Sequence, residues 1–201
     1  MKKFELTTEC ITFLGRKLFR IKALVAFGNV EAGELGGYIE KEENLDKDGN
    51  AWVYGNAKVC GNAKVYGDAK VCGNAKVYGD AEVCGNAKVY GDAEVCGNAK
   101  VCGNAKVCEN ADYATAKGFG SVHRTTTFFR TKEKEVAVKC GCFLGTLAEF
   151  RAKVKKTHGE SKLAKEYLML ADLMEYKFSE EDGVTDMEEM SNVDWNKYRK
   201  R

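Results

Sequence analysis

Proline is absent from this chain, and histidine and tryptophan occur twice each. Without proline there can be no proline-rich linker and no polyproline ligand. No apolar run approaches the roughly 18 residues of a membrane span. The start, Met1-Lys2-Lys3-Phe4-Glu5, has no apolar signal core behind it. The expectation is a cytoplasmic chain with no membrane partner, in which thiols stay reduced. Charge of one sign is also lacking: 31% of the 201 residues are charged, yet the net charge is only +2. That balance is neither disordered nor strongly basic, so a nucleic-acid partner is not expected. Against these scarcities stand 21 Gly and 9 Cys. Nine is odd, which does not suit a disulfide framework.

One segment explains both excesses. From Gly49 the chain reads GNAWVY, GNAKVC, GNAKVY, GDAKVC, GNAKVY, GDAEVC, GNAKVY, GDAEVC, GNAKVC, GNAKVC, ten hexads ending at Cys108, with ENADYA as a decayed eleventh. A short strict period means a solenoid. In each hexad, Ala-Lys-Val is a short strand pointing in, out and in. Branched Val suits a strand, and small Ala suits a crowded interior. Gly-Asn or Gly-Asp tolerates the left-handed backbone of a sharp corner.

Val-x-x-x-Ala-x every six residues resembles the hexapeptide repeat of left-handed β-helix proteins. In that family three hexads make one triangular coil of 18 residues. Sixty residues then give about three coils, and Ile39, Leu45 and Ala51 continue the six-residue phase towards a fourth. On this ring Lys70, Lys88 and Lys106 form one pure Lys column. Lys58, Lys76 and Glu94 form a second, and Lys64, Glu82 and Lys100 a third. Tyr54, Cys72, Tyr90 and Cys108 share a corner, and Cys84 and Cys102 are the column neighbours that are both Cys. A flattened solenoid of 12 residues per coil is the competing geometry. It stacks Tyr on Tyr and Cys on Cys.

The flanks differ from the array. In residues 1–36, Ile11 to Leu14 and Leu18 to Phe27 flank Gly15-Arg16-Lys17 and read as a hairpin, with Phe19, Ile21, Ala23 and Val25 on one face. The run Asn29-Val30-Glu31-Ala32-Gly33-Glu34-Leu35-Gly36-Gly37 is similar to the lead-in module "DV-x-AG-x-x-GG" of bacterial and phage hexapeptide-repeat proteins, some of them named as transferases. Here Asn29 replaces the Asp. The repeat region is read as 37–116, with 1–36 as a β-rich cap, since a solenoid needs its apolar end covered. Residues 117–180 read as a β-β-α-α unit, with strands at Arg124–Arg130 and Glu135–Cys140. A helix starts at the Thr146–Glu149 capping box and stops at Gly159, and Ser161 caps a second helix. That unit resembles a C-terminal domain found behind repeat arrays in phage proteins. Residues 181–201 read as a charged tail, expected to be mobile with a short helix near Trp195. The fold class is thus mainly β: a parallel β-helix, a β cap and a C-terminal α+β domain.

Chemistry is sparse. Hexapeptide acyltransferases are trimers that use a His base and a loop breaking out of the coils, but this array has no His and no inserted loop; His123 and His158 follow it. Two His cannot supply the three-His zinc site of the related γ-type carbonic anhydrases. Cys140-x-Cys142 is a weak metal candidate whose plainer reading is a tight turn between strand and helix. The array cysteines read as small corner residues, with no structural disulfide in a reducing compartment. The Lys column could meet a polyanion; its plainer reading is a solvated face that blocks aggregation. His158 suits a helix C-terminus by charge. The binding candidates are therefore Lys70, Lys88, Lys106, Arg124, Arg130 and His158, with no catalytic set and no cofactor implied. The expected function is a non-catalytic interaction protein. The resemblance implies a phage or prophage accessory factor acting on a host protein or signalling molecule, with inhibition of host defence as one such role. An acyl-CoA-dependent trimeric transferase and an assembly protein are the alternatives, and self-association is expected in either.

Overall fold

The computed structural model describes residues 2–120 and 122–179. The charged tail and its expected helix lie outside the described residues. Strands β1 (Phe4–Phe13), β2 (Arg16–Ala23) and β3 (Leu35–Ile39) come first. Ten two-residue strands follow, one per hexad: β4 (Trp52–Val53), β5 (Lys58–Val59), β6 (Lys64–Val65), β7 (Lys70–Val71), β8 (Lys76–Val77), β9 (Glu82–Val83), β10 (Lys88–Val89), β11 (Glu94–Val95), β12 (Lys100–Val101) and β13 (Lys106–Val107).

Parallel pairing fixes the coil. Lys88 lies opposite both Lys70 and Lys106, so one turn takes 18 residues, not 12. Three sheets result: β4-β7-β10-β13, β6-β9-β12, and β3-β5-β8-β11, the last extended by the β1–β2 hairpin. Each side of the solenoid has four rungs, because Leu45 bridges Val65 and adds a rung to the second sheet. Every hexad Ala and Val from Ala57 to Val101 is fully buried. The corner glycines take positive φ, 58° to 72°. A Cβ on Gly85 would also lie 3.0 Å from the backbone nitrogen of Gly103 in the next coil. Conformation and stacking therefore both demand glycine there.

The first coil departs from the simple phase. Ile39 pairs with Val59 and Leu45 with Val65, a step of twenty residues, whereas Val53 pairs with Val71, a step of eighteen. Ile39 and Leu45 therefore occupy Val positions, while Ala51 sits in the Ala column, and two extra residues separate them. Buried Lys3 pins this bulged loop: its ammonium donates to the carbonyls of Gly49 (3.3 Å) and Ala51 (3.0 Å). The hairpin turn is Leu14-Gly15, both at positive φ, one residue earlier than expected. A register shift between Arg20 and Lys22 breaks the alternation of β2, so Leu18 joins Ile21 and Ala23 as buried and Phe19 is half-buried.

Beyond the array, β14 (Tyr113–Phe119), β15 (Arg124–Arg130), β16 (Val136–Cys140) and β17 (Phe143–Thr146) form an antiparallel sheet in chain order. Helices α1 (Leu147–His158) and α2 (Lys162–Phe178) pack on it. The expected capping box is present: the Thr146 hydroxyl accepts from the Glu149 amide, and the Glu149 carboxylate accepts from the Thr146 amide at 2.8 Å. Strand β15 closes the solenoid. Phe129 enters the solenoid core, Phe128 enters the helical core, and the Lys100 amide donates to the Thr127 hydroxyl at 2.9 Å.

Cys84 and Cys102 are joined in a disulfide, against the expectation that none forms. Stacked coils bring their Cα atoms to 4.6 Å, within the span a disulfide accepts. Among the described residues no helix is long and apolar enough to cross a membrane.

Candidate functional site

The three sides of the solenoid carry the same outward position of the hexad but different charges. On the β3-β5-β8-β11 side, Lys76 pairs with Glu94, which also accepts from the Tyr78 hydroxyl. The hydrogen bond from Lys76 is the main cause holding the Glu94 carboxyl below the usual carboxylate range. On the β6-β9-β12 side, Lys100 pairs with Glu82 at 2.6 Å, and the Tyr66 hydroxyl donates to Glu82 at 3.0 Å. Burial, reinforced by that carboxylate, pushes Tyr66 up to about 12, so it remains a donor.

The β4-β7-β10-β13 side is different. Lys70, Lys88 and Lys106 stack in register, and among the described residues none has a carboxylate within ion-pair distance. Lys106 lies over the Tyr90 ring at 5.8 Å. Unit charges on rungs about 4.8 Å apart repel by about 0.9 kcal/mol in water. The fold therefore stacks three like charges here, whereas each of the other sides pairs one of its two lysines with a Glu.

A groove follows this column. On one flank a polar ladder runs beside the lysines: Asn50 donates to the Asp68 carboxylate at 2.7 Å, and Asn86 to Asn104 at 3.5 Å, so Asp68 lines the groove without lying within ion-pair distance of a lysine of the column. That half of the groove holds about 560 Å³. The other flank carries Tyr54, Cys72 and Tyr90 over a volume of about 620 Å³. Burial pushes Tyr54 and Cys72 up, so both remain neutral; Lys88 and Lys70 pull the Cys72 thiol back down in part. Asn29, from the cap, overhangs both halves, and Lys132, from the β15–β16 turn, stands at the far end. Lys132 is paired with Glu133 at 3.3 Å. Trp52 takes the Lys position of the first rung but is fully buried beneath Phe4 and Phe27. The cap thus covers one end of the column as well as the end of the core.

The C-terminal candidates divide. Arg124 and His158 line one cavity of about 230 Å³, together with Phe143, Phe150, Lys153 and Tyr167. Arg130 is elsewhere, donating to the Phe178 carbonyl at 2.9 Å and lying 3.6 Å from Asp112, a role in holding α2 to the sheet. Cys140 lines the cavity, accepting from the Thr126 hydroxyl at 3.2 Å, while Cys142 is exposed. Gly141, at φ +57°, makes the turn between them. Among the described residues, no three His, Cys, Asp or Glu side chains gather as a metal site. His123 is exposed and its Nδ1 lies 2.9 Å from the Gly118 carbonyl.

The Lys column was expected from the six-residue period together with the 18-residue coil that the resemblance implies, and the pairing of Lys88 with Lys70 and Lys106 bears it out. Sequence reasoning missed Asn29 and Lys132, which topology brings to the groove, and Lys153 and Tyr167, which share the C-terminal cavity. Asn29 did carry a signal, as the departure from Asp in the lead-in module. An Asp there would place a carboxylate over the lysines. No protein-family model matches this chain, and no curated protein sequence is significantly similar to it.

Proposed function

We propose that this protein is a non-catalytic binding protein whose solenoid presents a lysine groove to a small polyanion. One observation carries the reading: Lys70, Lys88 and Lys106 stand in register on one side of the coil without a neutralising carboxylate, while each of the other sides carries a Glu in the same column. An anion that bridges the rungs relieves this repulsion, and ammonium-to-phosphate hydrogen bonds are among the stronger polar contacts. The asparagines Asn50, Asn86 and Asn104 add neutral polar groups beside Asp68, and the Tyr54–Tyr90 flank adds an aromatic wall. A ligand with several phosphates and one planar base matches those walls, which is the chemistry of a nucleotide signalling molecule. The repeat and its lead-in module resemble those of phage proteins, so the setting we propose is a phage accessory factor that binds a host signalling nucleotide and so blunts a host response.

The test is native mass spectrometry of the purified full-length chain, followed by denaturing extraction. The reading expects a phosphorylated small molecule, released by high salt, and displacement by nucleoside triphosphates added in excess. A chain that carries no anion and takes up none from a nucleotide mixture contradicts it.

A further inference from the structure

The cavity of the C-terminal sheet and helices lies apart from the lysine groove and has a different character. Its floor is aromatic: Phe150 packs against Phe143 at 5.6 Å and against Tyr167 at 5.7 Å between ring centroids. Its lining includes two cations, Arg124 from β15 and Lys153 from α1, with the His158 ring beside them, and contains no carboxylate. Among the described residues, neither Arg124 nor Lys153 has an ion-pair partner. Arg124 and Lys153 are exposed, so both charges are solvated, and they stand at the edge of an apolar cavity where an acid group on an apolar body would meet them.

Two details describe how the polar groups stand around it. Arg124 lies across the Gly141 turn so closely that a Cβ there would fall 1.7 Å from its Nη1. Glycine is required there by its φ of +57°, and the guanidinium lies over the bare turn. The Tyr167 hydroxyl, which burial keeps protonated by pushing it up to about 12, makes only contacts at the limit of hydrogen-bond distance, 3.5 Å to the Phe119 carbonyl and 4.0 Å to the Cys140 sulfur. Its one proton goes to the Phe119 carbonyl at 3.5 Å, a weak bond that a ligand acceptor could replace. The volume of about 230 Å³ is below that of drug-sized pockets, which selects a ligand of one ring and one acid group.

We propose that this cavity binds a small aromatic carboxylate, its ring against Phe143 and Phe150 and its carboxylate in the fork of Arg124, flanked by Lys153. Arginine suits this role because its planar donors match both oxygens of a carboxylate.

The experiment is calorimetric titration of the full chain with benzoate and phenylacetate, with benzyl alcohol as the neutral counterpart. Saturable binding of at least one acid is expected, with benzyl alcohol at least tenfold weaker. Arg124→Gln weakens acid binding about tenfold or more, the range for charged hydrogen bonds. Lys153→Gln, on the exposed face of α1, leaves folding intact and weakens binding a fewfold. Lys88→Gln, in the solenoid groove, leaves it unchanged. The proposal is overturned by no saturation with either acid, by equal affinity for benzyl alcohol, by wild-type affinity in both Arg124→Gln and Lys153→Gln, or by loss of binding in Lys88→Gln.

Discussion

Replacing Lys88 with glutamine raises the stability of the ligand-free chain. Lys88 sits on β10 between Lys70 and Lys106 in strict register. Neighbouring rungs lie about 4.8 Å apart, and unit charges at that distance in water repel by about 0.9 kcal/mol. Screening over about 8 Å at physiological ionic strength leaves roughly half. With two neighbours, the relief is about 1 kcal/mol, rising to about 1.5 kcal/mol near 10 mM salt, where screening extends to about 30 Å. Long side chains splay apart, so these are upper values. The same substitution at the same hexad position on another side has the opposite sign. Lys100→Gln removes the 2.6 Å pair with Glu82 and lowers stability by about 0.5 kcal/mol, the scale of an exposed pair. Urea unfolding of both variants and the parent, at low and physiological salt, decides the matter. If Lys88→Gln is destabilising, or if its effect does not shrink with salt, the uncompensated column is not a source of strain and the reasoning fails.

Other outcomes follow from the same structure. Val77→Ala, in the fully buried Val column, costs about 2 kcal/mol by urea unfolding, the loss of two buried methyl groups plus the cavity they leave. Reducing the Cys84–Cys102 bond, which closes a loop of sequence separation 18, lowers stability by about 3 kcal/mol on chain-entropy grounds, and Cys102→Ser abolishes the difference between oxidised and reduced samples. Because the folded state holds the Glu94 carboxyl below its unfolded value, its contribution is present above about pH 4.5 and is lost as pH falls through the lowered folded value. Stability profiles of the parent and Glu94→Gln therefore diverge above that pH and converge below it. Asn29→Asp sets a carboxylate over the lysine groove and weakens polyanion binding about threefold, with little effect on folding.

Local signals made most of the fold legible. A six-residue period with Gly at the corner and Val inside dictates a solenoid, and the 18-residue coil that the resemblance implies places Lys70, Lys88 and Lys106 in one column. The capping box at Thr146 and the stop at Gly159 were equally local. What escaped depends on longer-range compensation. The two-residue slip after Leu45 is held by Lys3, more than forty positions away in sequence. Strand β14 follows a decayed hexad, and Tyr-Ala-Thr-Ala-Lys-Gly-Phe has too little apolar alternation to declare itself. It becomes a strand because β15 pairs with it. Trp52 looks like an outward residue gone apolar until the cap folds over it. The C-terminal cavity was invisible because Arg124 and His158 meet only where the start of β15 faces the end of α1.

The central claim is that the pure lysine column is a polyanion site, and it is tested most directly by titrating the full chain with inorganic tripolyphosphate at physiological salt, beside Lys88→Gln and Lys64→Gln. The account predicts saturable binding with Kd below about 1 mM, weakened about tenfold by Lys88→Gln and left unchanged by Lys64→Gln, whose column neighbour is Glu82. Equal losses in the two variants, or no binding by the parent chain, would contradict it.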